Sequence, residues 1–225
     1  MKVIRIEAER LADRTTRRSW IYLSGQPGTV EEITREYYLR ERKFSDCLID
    51  SACVYGGLAW VLFHDILFHN NLNSKQPLCS LFLNKPQDFY DKHRIFIEEK
   101  LIDFHRHPNE VFDDGVSRFC SHRFFCDSTS KIAEYYGEWI KRNKLSLRDV
   151  AVVSAKHNLE FLIREIIVKS NKGRNRGWPD LVVWSTDEII FAEVKSSDKL
   201  SREQILWISE HNEKITTELV WVVPI

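Results

Sequence analysis

The chain has 225 residues, 43% hydrophobic and 29% charged, with 33 basic side chains matched by 33 acidic ones. Those fractions belong to a folded globular protein and exclude a disordered or low-complexity chain. With zero net charge, nothing global attracts a polyanion, so any nucleic-acid contact has to come from a local basic patch. Residues 1–20 are basic and amphipathic, with Lys2, Arg5, Arg10, Arg14, Arg17 and Arg18. They lead into a short apolar run at Ile21–Leu23 and a turn at Ser24–Gly28. Thr29, followed three residues later by Glu32, is a capping box that opens a helix from Val30 to about Arg42. After a break over Phe44–Asp50, the run from Ser51 to Phe68 is apolar nearly all round, which predicts the core helix of the N-terminal half. His69–Pro77 is a polar loop. Residues 87–106 carry Phe89, Ile95, Phe96, Leu101 and Ile102 at helical spacing, ended by Pro108 and Asn109. The aromatic-rich stretch 115–127 fits no single element. Lys131–Lys144 predicts a helix, Leu145–Leu147 a connector, Asp149–Val153 a helix start or strand, and Leu159–Val168 a helix. Residues 1–148 thus read as a mostly helical region packed on a C-terminal domain at 149–225.

That C-terminal part carries the chemistry. Leu181–Trp184 and Ile189–Ala192 are β-branched and aromatic runs separated by the polar residues Ser185–Glu188, the pattern of a β-hairpin. If Trp184 faces Ile189 across that loop, Asp180 sits opposite Glu193, and directly opposed residues have Cβ atoms roughly 5 Å apart. Lys195 shares the face of Glu193 because side-chain direction repeats every second residue. Two carboxylates and an amine therefore converge, behind a proline that pairs only at a strand start. Such a set suits a hard divalent cation such as Mg²⁺, with a lysine to orient water or stabilise developing charge. Just before it, Lys169, Lys172, Arg174 and Arg176 put four cations in eight residues with Gly173 and Gly177 and no acid, a loop suited to gripping phosphate. After it, Ser201 and Gln204 form a second capping box opening a helix through about His211, and Leu219–Val223 is a buried strand. This order of elements gives an α/β fold, a mixed sheet flanked by helices.

The five cysteines, Cys47, Cys53, Cys79, Cys120 and Cys126, are odd in number and widely spaced, which argues against a disulfide framework and for a reducing compartment. Cys120 and Cys126 flank His122, but no second Cys/His pair at a fitting spacing makes them a zinc site. The N-terminus lacks the apolar core of a signal peptide, and no run reaches the roughly 18 apolar residues of a membrane span. The expectation is an intracellular protein without membrane contact, cytoplasmic in a bacterial or phage setting and nuclear in a eukaryote.

The spacing of Asp180 and Glu193-Val194-Lys195 resembles that of the PD-(D/E)XK nucleases. Four ordered blocks narrow the resemblance: Gly177–Trp184, Phe191–Lys195, Asp198–Ser201 and Gln204–Trp207. Together they closely resemble a VRR-NUC nuclease domain. Upstream, Thr29–Ile33 with Tyr37 and Tyr38, and Gly57–Leu58 through His64–Phe68, are similar to the region before that domain in Fanconi-associated nucleases. The resemblance implies a restriction-endonuclease-like core and a Mg²⁺- or Mn²⁺-dependent nuclease that hydrolyses phosphodiester bonds in branched or 5′-flap DNA, in DNA repair. It also implies Asp180, Glu193 and the Val194 carbonyl as metal ligands, Lys195 as the catalytic lysine, and Gln204 facing the site. Lys172, Arg174 and Arg176 would contact DNA phosphate. The family's further glutamate ligand falls, without gaps, on Ser51. Asp50 is then the nearest acid, with Glu160 and Glu165 as alternatives. Two rival functions stand beside this one. One is a homodimer that resolves four-way junctions in phage or mobile-element biology. The other is a catalytically inactive DNA-binding module.

Overall fold

The structure, a computed structural model, describes residues 1–11, 20–67, 85–121, 128–169 and 177–225. Its strands are β1 (Lys2–Arg10), β2 (Trp20–Ile21), β3 (Pro27–Gly28), β4 (Asp46–Ile49), β5 (Leu181–Trp184), β6 (Ile189–Lys195) and β7 (Thr216–Pro224). The helices among the described residues are α1 (Val30–Arg40), α2 (Ser51–Leu62), α3 (His64–Leu67), α4 (Pro86–Arg106), α5 (Pro108–Ser121), α6 (Ser128–Arg142), α7 (Lys144–Lys156), α8 (Glu160–Lys169) and α9 (Arg202–His211). The chain divides into two compact units, residues 1–51 with 176–225, and residues 52–175; residue 148 lies inside α7.

The first unit is a seven-stranded sheet in the order β3-β2-β1-β7-β6-β5-β4. β5 and β6 form the expected hairpin, with Trp184 opposite Ile189 and Leu181 opposite Ala192. β7 runs parallel to both β6 and β1, and β4 runs antiparallel to β5, so the sheet is mixed as its element order implied. The N-terminal residues that read only as basic and amphipathic are in fact a strand. Their amphipathicity has period two, with Ile6 and Ala8 buried and Arg5, Glu7 and Glu9 exposed. β5 and most of β6 are buried because both faces of the sheet are covered. On one face α1 sets Ile33 and Tyr38 against Leu181, Val183, Ile190, Val220 and Val222. On the other, Trp207 of α9 lies 5.9 Å from the ring of Phe191. Both halves of the Thr29–Glu32 capping box form, at 3.2 and 2.8 Å. Glu218, buried in β7, accepts from Tyr38 Oη and from Arg42, each at 2.5 Å, so its charge is matched inside the fold.

The second unit is helical in its described residues. α2 buries Val54, Tyr55 and Leu58 through Leu62, and Gly115 of α5 packs so closely that a Cβ there would lie 2.6 Å from the Val61 carbonyl oxygen. The expected 51–68 helix stops at Leu62, a short α3 follows, and Phe68 lies outside the described residues. α4 ends at Arg106, ahead of Pro108 as expected, and Pro108 also opens α5, because a first-turn position needs no backbone N–H. The connector and the short element expected over 145–153 are one helix, α7, whose buried face is Leu147, Val150, Ala151, Ser154 and Ala155. No described helix is long and apolar enough to cross a membrane.

Candidate active site

The expected site assembles inside the sheet unit. Gly177 has φ +88°, and a Cβ on it would lie 2.5 Å from the Glu203 carbonyl oxygen, so only glycine fits the turn into Trp178. Trp178 is buried against Trp207, ring centroids 5.2 Å apart. The next two carbonyls are stitched to the end of β4. Ser51 Oγ donates to Pro179 O, and the Asp50 N–H donates to Asp180 O at 2.6 Å. Backbone position at Pro179 and Asp180 is therefore fixed from behind and from the side.

Asp180 immediately precedes β5, and Glu193 follows Ala192, the partner of Leu181. Asp180 Oδ2 accepts the Val194 N–H at 2.8 Å, so its side chain continues the hairpin ladder where the backbone stops. Glu193 is 1% exposed. Its Oε1 takes the Lys195 ammonium at 2.7 Å and the Gln204 amide Nε2. Its Oε2 has no hydrogen-bond partner among the described residues. Gln204 is oriented by the helix cap: its Oε1 accepts the Ser201 N–H at 2.8 Å, which leaves only Nε2 to turn toward Glu193. Burial, then the neighbouring Asp180 charge, push the Glu193 carboxyl up to about 7, against the pull of Lys195. Burial raises Asp180 as well, opposed by the Val194 N–H and Lys195.

Two carboxylates with one lysine leave a net negative charge in a desolvated place, and one buried oxygen is bare. A divalent cation with oxygen preference is the partner that both the charge and the bare atom call for. Asp180, Glu193, Lys195 and Gln204 are thus brought together as expected. Asp50 reaches the site through its backbone; its residue is exposed and its φ is +69°. Ser51, where the resembled family has an acid, is fully buried and engaged with Pro179. Glu160 and Glu165 belong to the helical unit, where they pair with His105 and Lys169. Lys172, Arg174 and Arg176 lie outside the described residues, as do His122 and Cys126. Among the described residues, no group of three or more His, Cys, Asp and Glu forms a ready metal cage. One residue that pattern reading left out is Glu31, whose negative charge is felt at Asp180. Its place in the first turn of a capped helix was legible, but not the strand that helix faces.

Three comparisons bear on this geometry. Residues 129–223 match the family model of the VRR-NUC domain. Over 199 residues the chain is 23% identical to a Fanconi-associated nuclease 1 homolog of Caenorhabditis elegans, a match covering 80% of this chain and 21% of that protein. Its fold matches the crystal structure of paFAN1 bound to 1-nucleotide 5′-flap DNA with a gap, at TM-score 0.62 and 18% identity, over 100% of this chain and 38% of that one. The 2-nucleotide flap complex of paFAN1 matches at TM-score 0.61 and 17% identity, over 96% and 39%. The chain spans about a fifth of the curated relative's length and about two fifths of the solved chains. With the acid pair, the lysine and the mixed sheet in place, residues 129–223 match the VRR-NUC domain model, in a chain similar in sequence to a Fanconi-associated nuclease 1 homolog and in fold to paFAN1.

Proposed function

We propose that this chain is a divalent-metal-dependent, structure-selective DNA nuclease that hydrolyses phosphodiester bonds in branched or 5′-flap DNA, in DNA repair. The observation that carries it is the buried pair Asp180 and Glu193, with an unpartnered Glu193 oxygen and Lys195 2.7 Å from the other. The paFAN1 structures that share its fold are complexes with 5′-flap DNA, which favours that substrate class. Asp180, Glu193 and the Val194 carbonyl would hold Mg²⁺ or Mn²⁺, with Asp50 the further acid nearest along the sequence. Bound there, the ion would lower the pKa of an attacking water and neutralise charge on the phosphate. The protein's own groups do the rest. Lys195 holds a positive charge beside the acid pair, where it can orient the nucleophile or stabilise developing negative charge. Gln204 fixes the Glu193 rotamer, so the carboxylate needs no rearrangement when the substrate arrives. Lys172, Arg174 and Arg176 would hold DNA by its phosphates.

A second reading, an inactive DNA-binding module, is favoured by one observation: Ser51 stands where the resembled family has an acid, and its hydroxyl is spent on Pro179. Purified protein with Mg²⁺ or Mn²⁺ should be tested on 5′ flaps, 3′ flaps, four-way junctions and single strands, with D180A and K195A as controls. Metal-dependent cleavage of flaps, abolished in both variants, is expected. Cleavage confined to four-way junctions and symmetric across them would replace the flap substrate with a junction. No cleavage of any substrate by protein that binds the metal would favour the inactive module.

A further inference from the structure

The register of the sheet carries the face of the acid pair beyond β6. Side-chain direction alternates along a strand, and directly paired residues of neighbouring strands share a face. Glu193 lies beside Leu219, and Lys195 beside Trp221, across β6 and β7. Across β7 and β1, Val3 lies beside Leu219, Arg5 beside Trp221 and Glu7 beside Val223. Lys195, Trp221 and Arg5 are thus one row on one face. α9 covers that face over Phe191, and Leu219 is buried. The cover does not extend to the end of the row. Trp221 and Val223 are only half-buried, and Val3 and Arg5 are exposed. On the opposite face of the same strands, Ile6, Ala8, Val220 and Val222 are buried in the cluster that holds Ile33 and Tyr38 of α1. An indole is therefore left partly open to solvent one strand away from Lys195.

We propose that Trp221 is a stacking platform for an unpaired base next to the scissile phosphate, with Arg5 holding a phosphate farther along the same DNA strand. This rests on the nuclease function proposed above. Neighbouring strands are about 4.8 Å apart, so the row starts at Lys195, meets Trp221 after about 5 Å and Arg5 after about 10 Å. A nucleotide advances about 3.4 Å along each strand of a duplex, so the row matches about one to three nucleotides. Arg5 has an acidic neighbour on this face, Glu7 at 3.4 Å, but both side chains are largely exposed. Such a surface pair contributes little and leaves the guanidinium open to a phosphate. A base inside a duplex has both faces occupied by its neighbours, so the platform selects strands with an unpaired nucleotide at this place, and does so with little regard to sequence. A second copy of the chain fits the strip less well. An indole buries at most about 250 Å², and a stable interface takes roughly 800 Å² from each partner.

The test is fluorescence anisotropy of labelled DNA in chelator, with wild type, W221A, W221L, W221F and R5Q. The DNAs are a 5′ flap, its fully paired counterpart, and flaps with an abasic site stepped through the unpaired nucleotides. W221A should bind the flap roughly 5–150-fold more weakly. W221L keeps apolar bulk without a ring face and should lose nearly as much, whereas W221F should keep most of the affinity. That pair carries the test if the alanine variant does not fold. At one abasic position wild type should bind no better than W221L, because the base that the indole holds is gone. R5Q should flatten the salt dependence by about 0.7 in log–log slope. Equal flap affinity of wild type and W221L would overturn the proposal, as would the same W221L deficit on every abasic flap and on the paired DNA. A W221L chain that sediments as a monomer where wild type is a dimer, with DNA binding unchanged, would also overturn it and assign the strip to a second copy. A wild type that binds none of these DNAs would overturn the proposed function along with it.

Discussion

Replacing Glu193 with glutamine should make the metal-free protein less sensitive to pH while destroying the site. The wild-type carboxyl is raised from 4.5 to about 7 by burial and by Asp180. Because the folded state holds this proton more tightly than the unfolded chain, its contribution is fully present below pH 4.5. It is lost as pH rises toward and past 7. The gap is worth up to about 3 kcal/mol, and for a chain of this size each kcal/mol moves Tm by roughly 2–4 °C. Glutamine cannot titrate, so the Tm difference between E193Q and wild type should shift by roughly 6–12 °C in favour of the variant between pH 4.5 and pH 8.5. The new amide also leaves a buried donor in the place of the unpartnered Oε2, costing about 1–3 kcal/mol at every pH. The slope of the difference, not its absolute value, is therefore the readout. Calorimetric melts in chelator across that range measure it. Saturating Mn²⁺ should then stabilise wild type, by about 2.7 kcal/mol at a hundred times Kd, and leave E193Q unmoved. Parallel Tm curves across the range, or equal stabilisation of both proteins by Mn²⁺, would refute the placement of Glu193 as a desolvated metal carboxylate.

K195M should retain Mn²⁺ binding by calorimetry while cleavage falls roughly 10²–10³-fold, the drop typical of removing a preorganised charge-stabilising group. G177A should destabilise the fold by more than about 1 kcal/mol, read as a lower Tm, because it forces a side chain into positive φ and against the Glu203 carbonyl. Q204E keeps the helix cap but turns a carboxylate toward Glu193. It should weaken Mn²⁺ binding at pH 7 by calorimetry, more than a cap-removing Q204A does. Replacing Lys172, Arg174 and Arg176 together with glutamine should weaken DNA binding on all sequences. The salt dependence of binding should flatten by about 0.9 in log–log slope for each phosphate that the variant no longer neutralises.

Much of the site was legible because it is local. The register of β5 and β6 follows from a four-residue loop between two apolar runs, and Asp180, Glu193 and Lys195 follow from that register. Both capping boxes were legible for the same reason: a cap joins residues three apart. What pattern could not supply is non-local. β1 reads as a basic stretch because its apolar positions are few. Only pairing with β7, more than two hundred residues away, makes Ile6 and Ala8 a buried edge of the core. The same holds for Ser51, which in sequence stands as a missing ligand but in the fold is a hydrogen-bond donor to Pro179. Over 145–153, polar residues Ser146, Arg148 and Asp149 hid a helical face that packing alone reveals.

Those non-local pairings explain how the candidate site survives a long interruption of its own sheet. β4 and β5 are adjacent antiparallel strands, yet residues 52–175 come between them in the chain. The chain leaves the sheet unit at Ser51 and is back in it by Gly177. There the Asp50 N–H on Asp180 O and the Ser51 hydroxyl on Pro179 O tie the exit to the return. An inserted segment whose ends are held together adds little closure entropy and need not transmit strain to its host. Asp180 is consequently fixed by four connections that all lie within the sheet unit: those two bonds, its own bond to Val194, and the glycine-dependent packing of Gly177 on α9. Burying two carboxylates together opposes folding, and a loosely held pair would relax by turning one acid out to solvent. The stitching, with the Val194 N–H on the Asp180 side chain, opposes that relaxation and keeps the two carboxylates together.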